Sequence, residues 1–374
     1  MVRVVLGTSY AEVDSVAWDA LVGDGSPFLE HAFLAGLETL GCACPQTGWQ
    51  PRPVLVWDDE GPEPRLIAAA PGWIKAHSLG EFVYDQGWAQ AAERAGYRYY
   101  PKWVVGVPFT PVTGSRLLYS DARGREALLA GLDAAAAETC GAHVLFDTDD
   151  DDALLAEHGY FSRLQFQYHW TNRGYRSFDD FLGDFTSRDR NKIRRERREV
   201  ASLRFTVGEA PDAPTLDHLY DFYADTTDRY YYGQRYLTRD FFRYLGEVWG
   251  HRLHTVLAHD HDGVLAGTLN VRKGARLYGR YWGARKEVDF LHFEVCYYQT
   301  IDYAIATGLE AFEPGHGGDH KYRRGFLPTI TRSSHRFADA RLQAAFGDYA
   351  AREAEAVREE VDRLRAESPL RGAR

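Results

Sequence analysis

Apolar positions in the first half of the chain switch repeatedly between the period of a strand and the period of a helix. VRVVL (2–6) predicts a short strand, and SPFLEHAFLAGLETLG a helix with Ser26 as N-cap, Pro27 at its first position and Gly41 as its stop. PVLVW (53–57) and RLIAAAPGWIK (65–75) predict strands on either side of the polar turn DDEGPEP. Asp85 can cap a helix over GWAQAAERAG, after which YRYYPKWVVGV returns as a strand. An Ala/Leu helix at 125–139, a buried strand AHVLFD (142–147), a short helix at 150–158 and the strand FSRLQFQYHW (161–170) complete this half.

The second half repeats that texture. Helices over 178–185 and 187–201 lead to the strand LRFTV, and helices near 214–229 and 238–249 precede three strands. These are LHTVLAH, VLAGTLNV and RLYGRYWG, joined by HDG and KGA turns. HFEVCYYQTIDYAIATG (292–308) predicts a helix ending at Gly308, and LEAFEP a strand. From 341 to 367, Leu342, Phe346, Tyr349, Val357, Val361 and Leu364 recur at helical spacing. The whole pattern is mixed α/β (α+β). At 374 residues the chain exceeds one ordinary core. The recurrence of pattern divides it into an N-terminal domain at 1–170, a C-terminal domain at 171–345, and a C-terminal helix and tail at 346–374.

Hydrophobic residues at 45% and charged residues at 26% are those of a globular protein. A formal net charge of −10 argues against a general nucleic-acid coat. Aromatics at 14% suit half-polar clefts, and equally two aromatic-rich cores. Cys42, Cys44, Cys140 and Cys296 form no CxxC pair and no zinc-ribbon spacing, as expected of reduced thiols in a reducing compartment. The start, MVRVVLGTSYAEVDS, has no signal-peptide core, and no window is long enough to span a membrane. The sequence therefore predicts a soluble, cytoplasmic protein without membrane insertion.

Two stretches concentrate charge. Arg188, Arg190, Lys192, Arg194, Arg195, Arg197 and Arg198 fall within eleven residues, with Ile193 as the main anchor of their helix. Such density suits phosphate recognition, since each exposed contact is weak and screened. The competing reading is a solvated face, its cations paired along the helix with Asp189, Glu196 and Glu199. The second stretch joins His292 and Glu294 to Glu313, His316, Asp319, His320 and Lys321, among glycines 315, 317, 318 and 325 that let a backbone approach a ligand. His316 and His320 with His292 and Glu294 could ligate zinc. The glycines disfavour a helix there, the spacing matches no closed zinc motif, and no metal is assigned. A structural loop with satisfied polar groups remains the bland alternative.

The segment HFEVCYYQTIDYAIATGLEAFEPGHGGDHKYRRGFLP resembles the signature of the FemAB-like family of predicted N-acyltransferases, of the peptidoglycan biosynthesis or recognition type. The resemblance extends over SPFLEHAFLAGLE (26–38), Phe82–Trp88, YYPKWVVGVPFTPVTGSRLL (99–118) and FTSRDRNKIRRERREV (185–200). Asp319 stands where the family pattern carries Glu. The resemblance implies two tandem GNAT-like acyltransferase domains. It also implies kinship with the Fem enzymes, which move an amino acid from aminoacyl-tRNA to an amine of a peptidoglycan precursor. Acetyl-CoA enzymes of this fold hold pyrophosphate on a glycine-rich turn. In YWGARKEVDFLHFEV no glycine follows Gly283, and Gly114 and Gly124 lack the spacing, so a standard CoA site is disfavoured.

The expectation is an N-acyltransferase that transfers an acyl group, aminoacyl from aminoacyl-tRNA, to a small or peptidic amine, with no cofactor. An acyl-CoA donor and a non-catalytic precursor-binding module are the alternatives. His292, Glu294, His320 and Lys321 are the candidate catalytic groups, as base and oxyanion partners. Glu313, His316, Asp319, Arg323 and Arg324, with Trp73, Tyr84, Asp85, Trp88 and Lys102, are candidates for substrate binding. Arg190, Lys192, Arg194, Arg195 and Arg198 are candidates for phosphate or tRNA. The tyrosine runs 230–232 and 297–298 read as groove lining or, more simply, as packing. Cys296 lies mid-helix on a core face, which disfavours a covalent mechanism.

Overall fold

Apolar runs become strands and helices in this protein, but a proline and an extended residue divide two of them where the sequence pattern suggests one element. The structure, a computed structural model, describes residues 1–230 and 233–371. Tyr231 and Tyr232 of the tyrosine run lie outside the described residues. Two units are resolved by their internal contacts: Met1–Phe166 with Ile330–Arg358, and Gln167–Thr329 with the residues from Glu359 onward.

The first unit opens with β1 (Val2–Leu6), α1 (Ser15–Val22), a 3-10 turn at Pro27–Leu29 and α2 (His31–Thr39). The single helix expected from Ser26 is interrupted because Glu30 takes an extended conformation, φ −61° and ψ 142°, and Ser26 makes no side-chain cap. β2 (Trp49–Pro51), β3 (Val54–Asp58), β4 (Arg65–Ala70) and β5 (Gly72–Lys75) follow. The predicted strand 65–75 divides at Pro71, which has no N–H to give a ladder. Then come α3 (Gln86–Arg94), β6 (Lys102–Val105), β7 (Leu118–Tyr119), α4 (Ala122–Ala136), β8 (Gly141–Leu145), α5 (Asp149–Glu157) and β9 (Phe161–Thr171).

One sheet has the antiparallel order β1-β3-β4-β7, and a second runs β2-β5-β6-β8. β6 and β8 are parallel, so the chain between them makes a crossover that contains α4. α4 lies close on the first sheet because of Gly131, where a Cβ would sit 2.4 Å from Val54 Cγ1. Leu128 and Leu132 of α4 join Val54, Val56, Ile67 and Val144 in the core. Each such side chain contributes roughly 1.5–3 kcal/mol by leaving water. Residues 333–337 return to pair antiparallel with β8.

The second unit begins with α6 (Phe178–Gly183), α7 (Ser187–Glu199) and β10 (Arg204–Glu209). α8 (Ala213–Tyr230) and α9 (Arg239–Trp249) precede the predicted meander, β11 (Leu253–Asp260), β12 (Gly263–Lys273) and β13 (Arg276–Ala284), antiparallel throughout with β10 at its edge. α8 packs closely on it at Gly283, where a Cβ would lie 2.2 Å from the Phe222 carbonyl oxygen. The predicted helix 292–308 is three pieces: α10 (Leu291–Phe293), a π-helical turn at Glu294–Tyr298 and α11 (Gln299–Ala306). It crosses over to β14 (Ala311–Glu313), which is parallel to β13 and antiparallel to the end of β9. A 3-10 turn at Asp319–Arg324, β15 (Leu327–Phe337) and α12 (Ala340–Ala366) complete the chain. Leu342 and Phe346 of α12 pack with Trp88 as expected, whereas Tyr349 is 46% exposed. The fold is mixed α/β, and among the described residues no helix is long and apolar enough to cross a membrane.

Candidate functional site

β13 and β14 pair only over Arg276–Tyr278 and Ala311–Glu313. β13 then runs on to Ala284, while Pro314 and Gly315, with φ +87°, end its neighbour. The strands part there. On the other side of β13 the register with β12 shifts: Leu269 faces Tyr281 and Asn270 faces Gly279, leaving Arg280 as an extra residue. The π turn adds a residue to the helix above, a feature frequent at functional sites. Together these irregularities leave a cavity of about 50 Å³. It is lined by Thr268 and Asn270, residues 279–282, Phe312 and Pro314, and by His292, Cys296 and Tyr297.

His292 places its imidazole at this cavity, 5.0 Å from the Trp282 ring and 5.1 Å from the Tyr297 ring. Among the described residues its nitrogens have no hydrogen-bond partner. Burial pushes its pKa down to about 3, with His320, Lys321 and Arg324 adding to the effect, so the ring is neutral. His320 is exposed, and its Nε2 lies 2.9 Å from Tyr297 Oη. Burial and then Lys321 lower its pKa as well. Lys321 is buried and donates to the carbonyls of Gly315 at 2.7 Å and His316 at 3.3 Å. Burial brings its pKa down to about 8. The Cys296 thiol is held protonated, its pKa raised by burial.

Glu294, two residues from His292, faces elsewhere. Its carboxylate accepts from Arg197 at 3.0 Å and from Gln299 at 2.7 Å, because residues two apart on a helix lie on different faces. Arg324 is buried rather than presented to solvent. It donates to Glu196 Oε1 at 2.8 Å, Tyr298 Oη at 2.9 Å and the His320 carbonyl at 2.8 Å, and lies 3.2 Å over the Phe293 ring. Arg323 and Asp319 are exposed, and His316 is half-buried with its pKa lowered by burial to about 4. Glu313 accepts from Arg276 at 2.5 Å, with His169 Nε2 3.8 Å away. The metal ligand atoms of His292, Glu294, His316 and His320 do not converge. Among the described residues only Asp260, His261 and Asp262, at a hairpin turn, bring three such atoms together.

The candidates of the first unit separate from one another. Lys102 and Asp85 do meet, but in a fully buried network. Lys102 donates to Glu81 at 2.6 Å, to Ser78 at 2.9 Å and to Asp85, and Tyr99 donates to Asp85 at 2.6 Å. This is why Asp85 does not cap α3. Burial alone would lower the pKa of Lys102, yet the two carboxylates raise it. Trp73 donates to the Gly106 carbonyl at 3.1 Å inside the core, and Trp88 stacks on Phe346 at 5.0 Å. Tyr84 is exposed, with φ +52°.

α7 is anchored by Ile193, as expected, and also by Glu196, which is buried against Arg324 and Tyr298. Asp189 accepts from Thr186 at 2.8 Å, and Glu199 makes no ion pair among the described residues. The acids of the helix therefore leave its cations alone. Arg188, Lys192, Arg194, Arg195 and Arg198 fall on one exposed arc about 15 Å long. Of these only Arg194 has a carboxylate partner among the described residues, Asp179 at 2.9 Å. Arg190 is half-buried and reaches Ser187 Oγ at 3.4 Å. Beside the arc, Arg194, Arg197 and Arg198 border an open cavity of about 520 Å³ with Phe178, Asp179 and Asp302.

Tyr297, Glu196 and Trp282 were not assigned as site residues from sequence, since each sits in a pattern that reads as packing or as a paired charge. Thr268 and Asn270 did carry a signal, as polar residues within the apolar strand VLAGTLNV.

Parted central strands with an imidazole at the opening are set in a mixed α/β fold. The chain belongs to the FemAB-like family, described as acting in peptidoglycan biosynthesis or recognition, whose profile matches residues 9–372. Among solved structures it is similar to L-PGS from Bacillus licheniformis, at 12% identity and a TM-score of 0.51, covering 91% of this chain and 96% of that one. It is also similar to the C-terminal domain of a putative lysylphosphatidylglycerol synthetase from Agrobacterium fabrum, at 10% identity and a TM-score of 0.51, covering 91% and 96%. FemX matches at 13% identity and a TM-score of 0.51, covering 90% and 99%. At these identities the likeness is one of fold. No curated protein sequence matches.

Proposed function

We propose that the protein is an N-acyltransferase that moves an aminoacyl group from the ester of a charged tRNA to the amine of a small or peptidic acceptor. The observation that carries this reading is His292, a neutral imidazole without a hydrogen-bond partner among the described residues, at the cavity where β13 and β14 part. An amine attacking a carbonyl must lose a proton as the C–N bond forms, and a neutral imidazole in reach can take it and return it to the leaving oxygen. Lys321 supplies the cation for the developing oxyanion, from the loop that follows β14. Glu294 acts at one remove, fixing Arg197 rather than the substrate. The arc on α7 favours a phosphate-rich donor, because its cations are exposed, on one side and mostly unpaired. Residues 285–290, between β13 and α10, contain no glycine for a CoA pyrophosphate, which ranks acyl-CoA second.

The test is mass-spectrometric detection of acylated amine, with charged tRNA and acyl-CoA tried side by side. His292→Gln should lower kcat by about 100-fold or more with the fold unchanged by circular dichroism. Full activity of that variant, or binding of charged tRNA with no product from either donor, would replace this reading with that of a precursor-binding module.

A further inference from the structure

Amide formation from an ammonium acceptor sheds more protons than His292 can return. The acceptor arrives as R–NH3⁺ and leaves as an amide N–H, so two protons leave nitrogen. One goes to the oxygen released when the ester C–O bond breaks; the other must reach bulk water. The cavity in which this happens is lined largely by rings, and one of them, Tyr297, is 2% exposed. Its hydroxyl leads from this lining toward the surface through the 2.9 Å hydrogen bond to Nε2 of exposed His320.

We infer that Tyr297 and His320 form the proton exit of this site: the acceptor's ammonium gives a proton to Tyr297 Oη as the phenol passes its own to His320 Nε2. The resulting imidazolium releases the Nδ1 proton to water, and exchange with water restores both groups. No oxidant or cofactor is required, and electron pairs stay on the atoms that exchange protons. The direction is fixed by chemistry. Burial raises the phenol pKa well above its ordinary value, so Tyr297 cannot wait as an anion and must hand on a proton as it receives one. His320, its pKa lowered by desolvation and then by Lys321, offers the acceptor nitrogen. Its carbonyl is pinned by buried Arg324 at 2.8 Å, which holds the ring's backbone in place.

The inference rests on the acyl-transfer reading of the cavity, and two amines separate the two claims. Methylamine is an ammonium ion at pH 7.5, whereas hydroxylamine is already neutral and needs no exit for that first proton. The whole 374-residue chain is supplied with charged tRNA or with acetyl-CoA, and the methylamide or hydroxamate is measured above the uncatalysed rate. With methylamine, Tyr297→Phe and His320→Gln should each lower kcat by about 100-fold, with KM nearly unchanged. With hydroxylamine both variants should stay within about threefold of the parent, while His292→Gln fails with both amines. Added imidazole should partly rescue Tyr297→Phe with methylamine. Equal losses on the two amines would make Tyr297 a packing residue and overturn the exit. Undiminished methylamine turnover in Tyr297→Phe would overturn it while leaving acyl transfer standing, and no turnover by the parent with either amine would remove both claims.

Discussion

At the scale of single residues, neighbours in sequence take opposite tasks. His292 and Glu294 look like one acid–base pair in the sequence, yet one lines a cavity and the other is locked to Arg197 and Gln299. Glu294 is 3% exposed and burial raises its pKa, with Arg197 pulling the other way, so its role is to anchor a cation. Glu294→Gln should therefore act on stability. It keeps the shape but weakens a charge-assisted contact, and chemical denaturation should report a loss of about 1–3 kcal/mol. Unchanged stability together with a large drop in kcat would restore Glu294 to the chemistry. The titratable loop was legible because His, Lys and acidic residues crowd among glycines. Tyr297 was not, since an aromatic on a helix ordinarily means packing and only the fold shows its hydroxyl against His320.

Among the elements, α7 shows what a sequence pattern omits. The cation density and the Ile193 anchor were visible, but the pairing was not. Glu196 is taken by Arg324, and Arg194 by Asp179, partners distant in sequence. Nor could sequence show the π turn at Glu294–Tyr298 or the register shift at Arg280, because neither has a residue signature. The meander and most helices were legible from their periodicity; a strand was misjudged where Pro71 intervened, and a helix where Glu30 did. Arg195 and Arg198 are exposed, lie on the free arc and have no carboxylate partner among the described residues. Arg195→Ala with Arg198→Ala should weaken binding of bulk charged tRNA and make the slope of log K against log salt shallower by about 1.4–1.8, for two lost phosphate contacts. Isothermal or filter-binding titrations at several salt concentrations read this directly; an unaltered slope assigns the arc to solvent.

For the whole molecule, buried imidazoles set the response to acid. His143 and His335 lie Nδ1 to Nδ1 at 2.8 Å, where one must donate and the other accept, so protonating both would oppose two donors. Burial lowers the pKa of His143 to about 3 and that of His335 well below the ordinary value. His292 is lowered likewise to about 3, and His254 and His316 to about 4. Each contributes stability that is complete above its unfolded pKa, about 6.5, and is lost as pH falls toward the folded value. Two carboxylates work in the other sense: burial raises Glu81 and Asp147 to about 7, so their contribution is complete below about 4 and fades as pH rises toward 7. Among the groups shifted furthest, five imidazoles against two carboxylates leave the unfolded chain taking up about three more protons than the fold between pH 4.5 and 6. Stability should thus drop by about 4 kcal/mol per pH unit on acidification there, a large share of the roughly 5–15 kcal/mol typical of folded domains. Urea denaturation followed by tryptophan fluorescence should show a steep loss of stability as pH falls below 6. A profile that is flat, or that rises on acidification, would mean that these imidazoles take up protons in the folded protein after all, and with them His292, whose neutral ring the proposed chemistry requires.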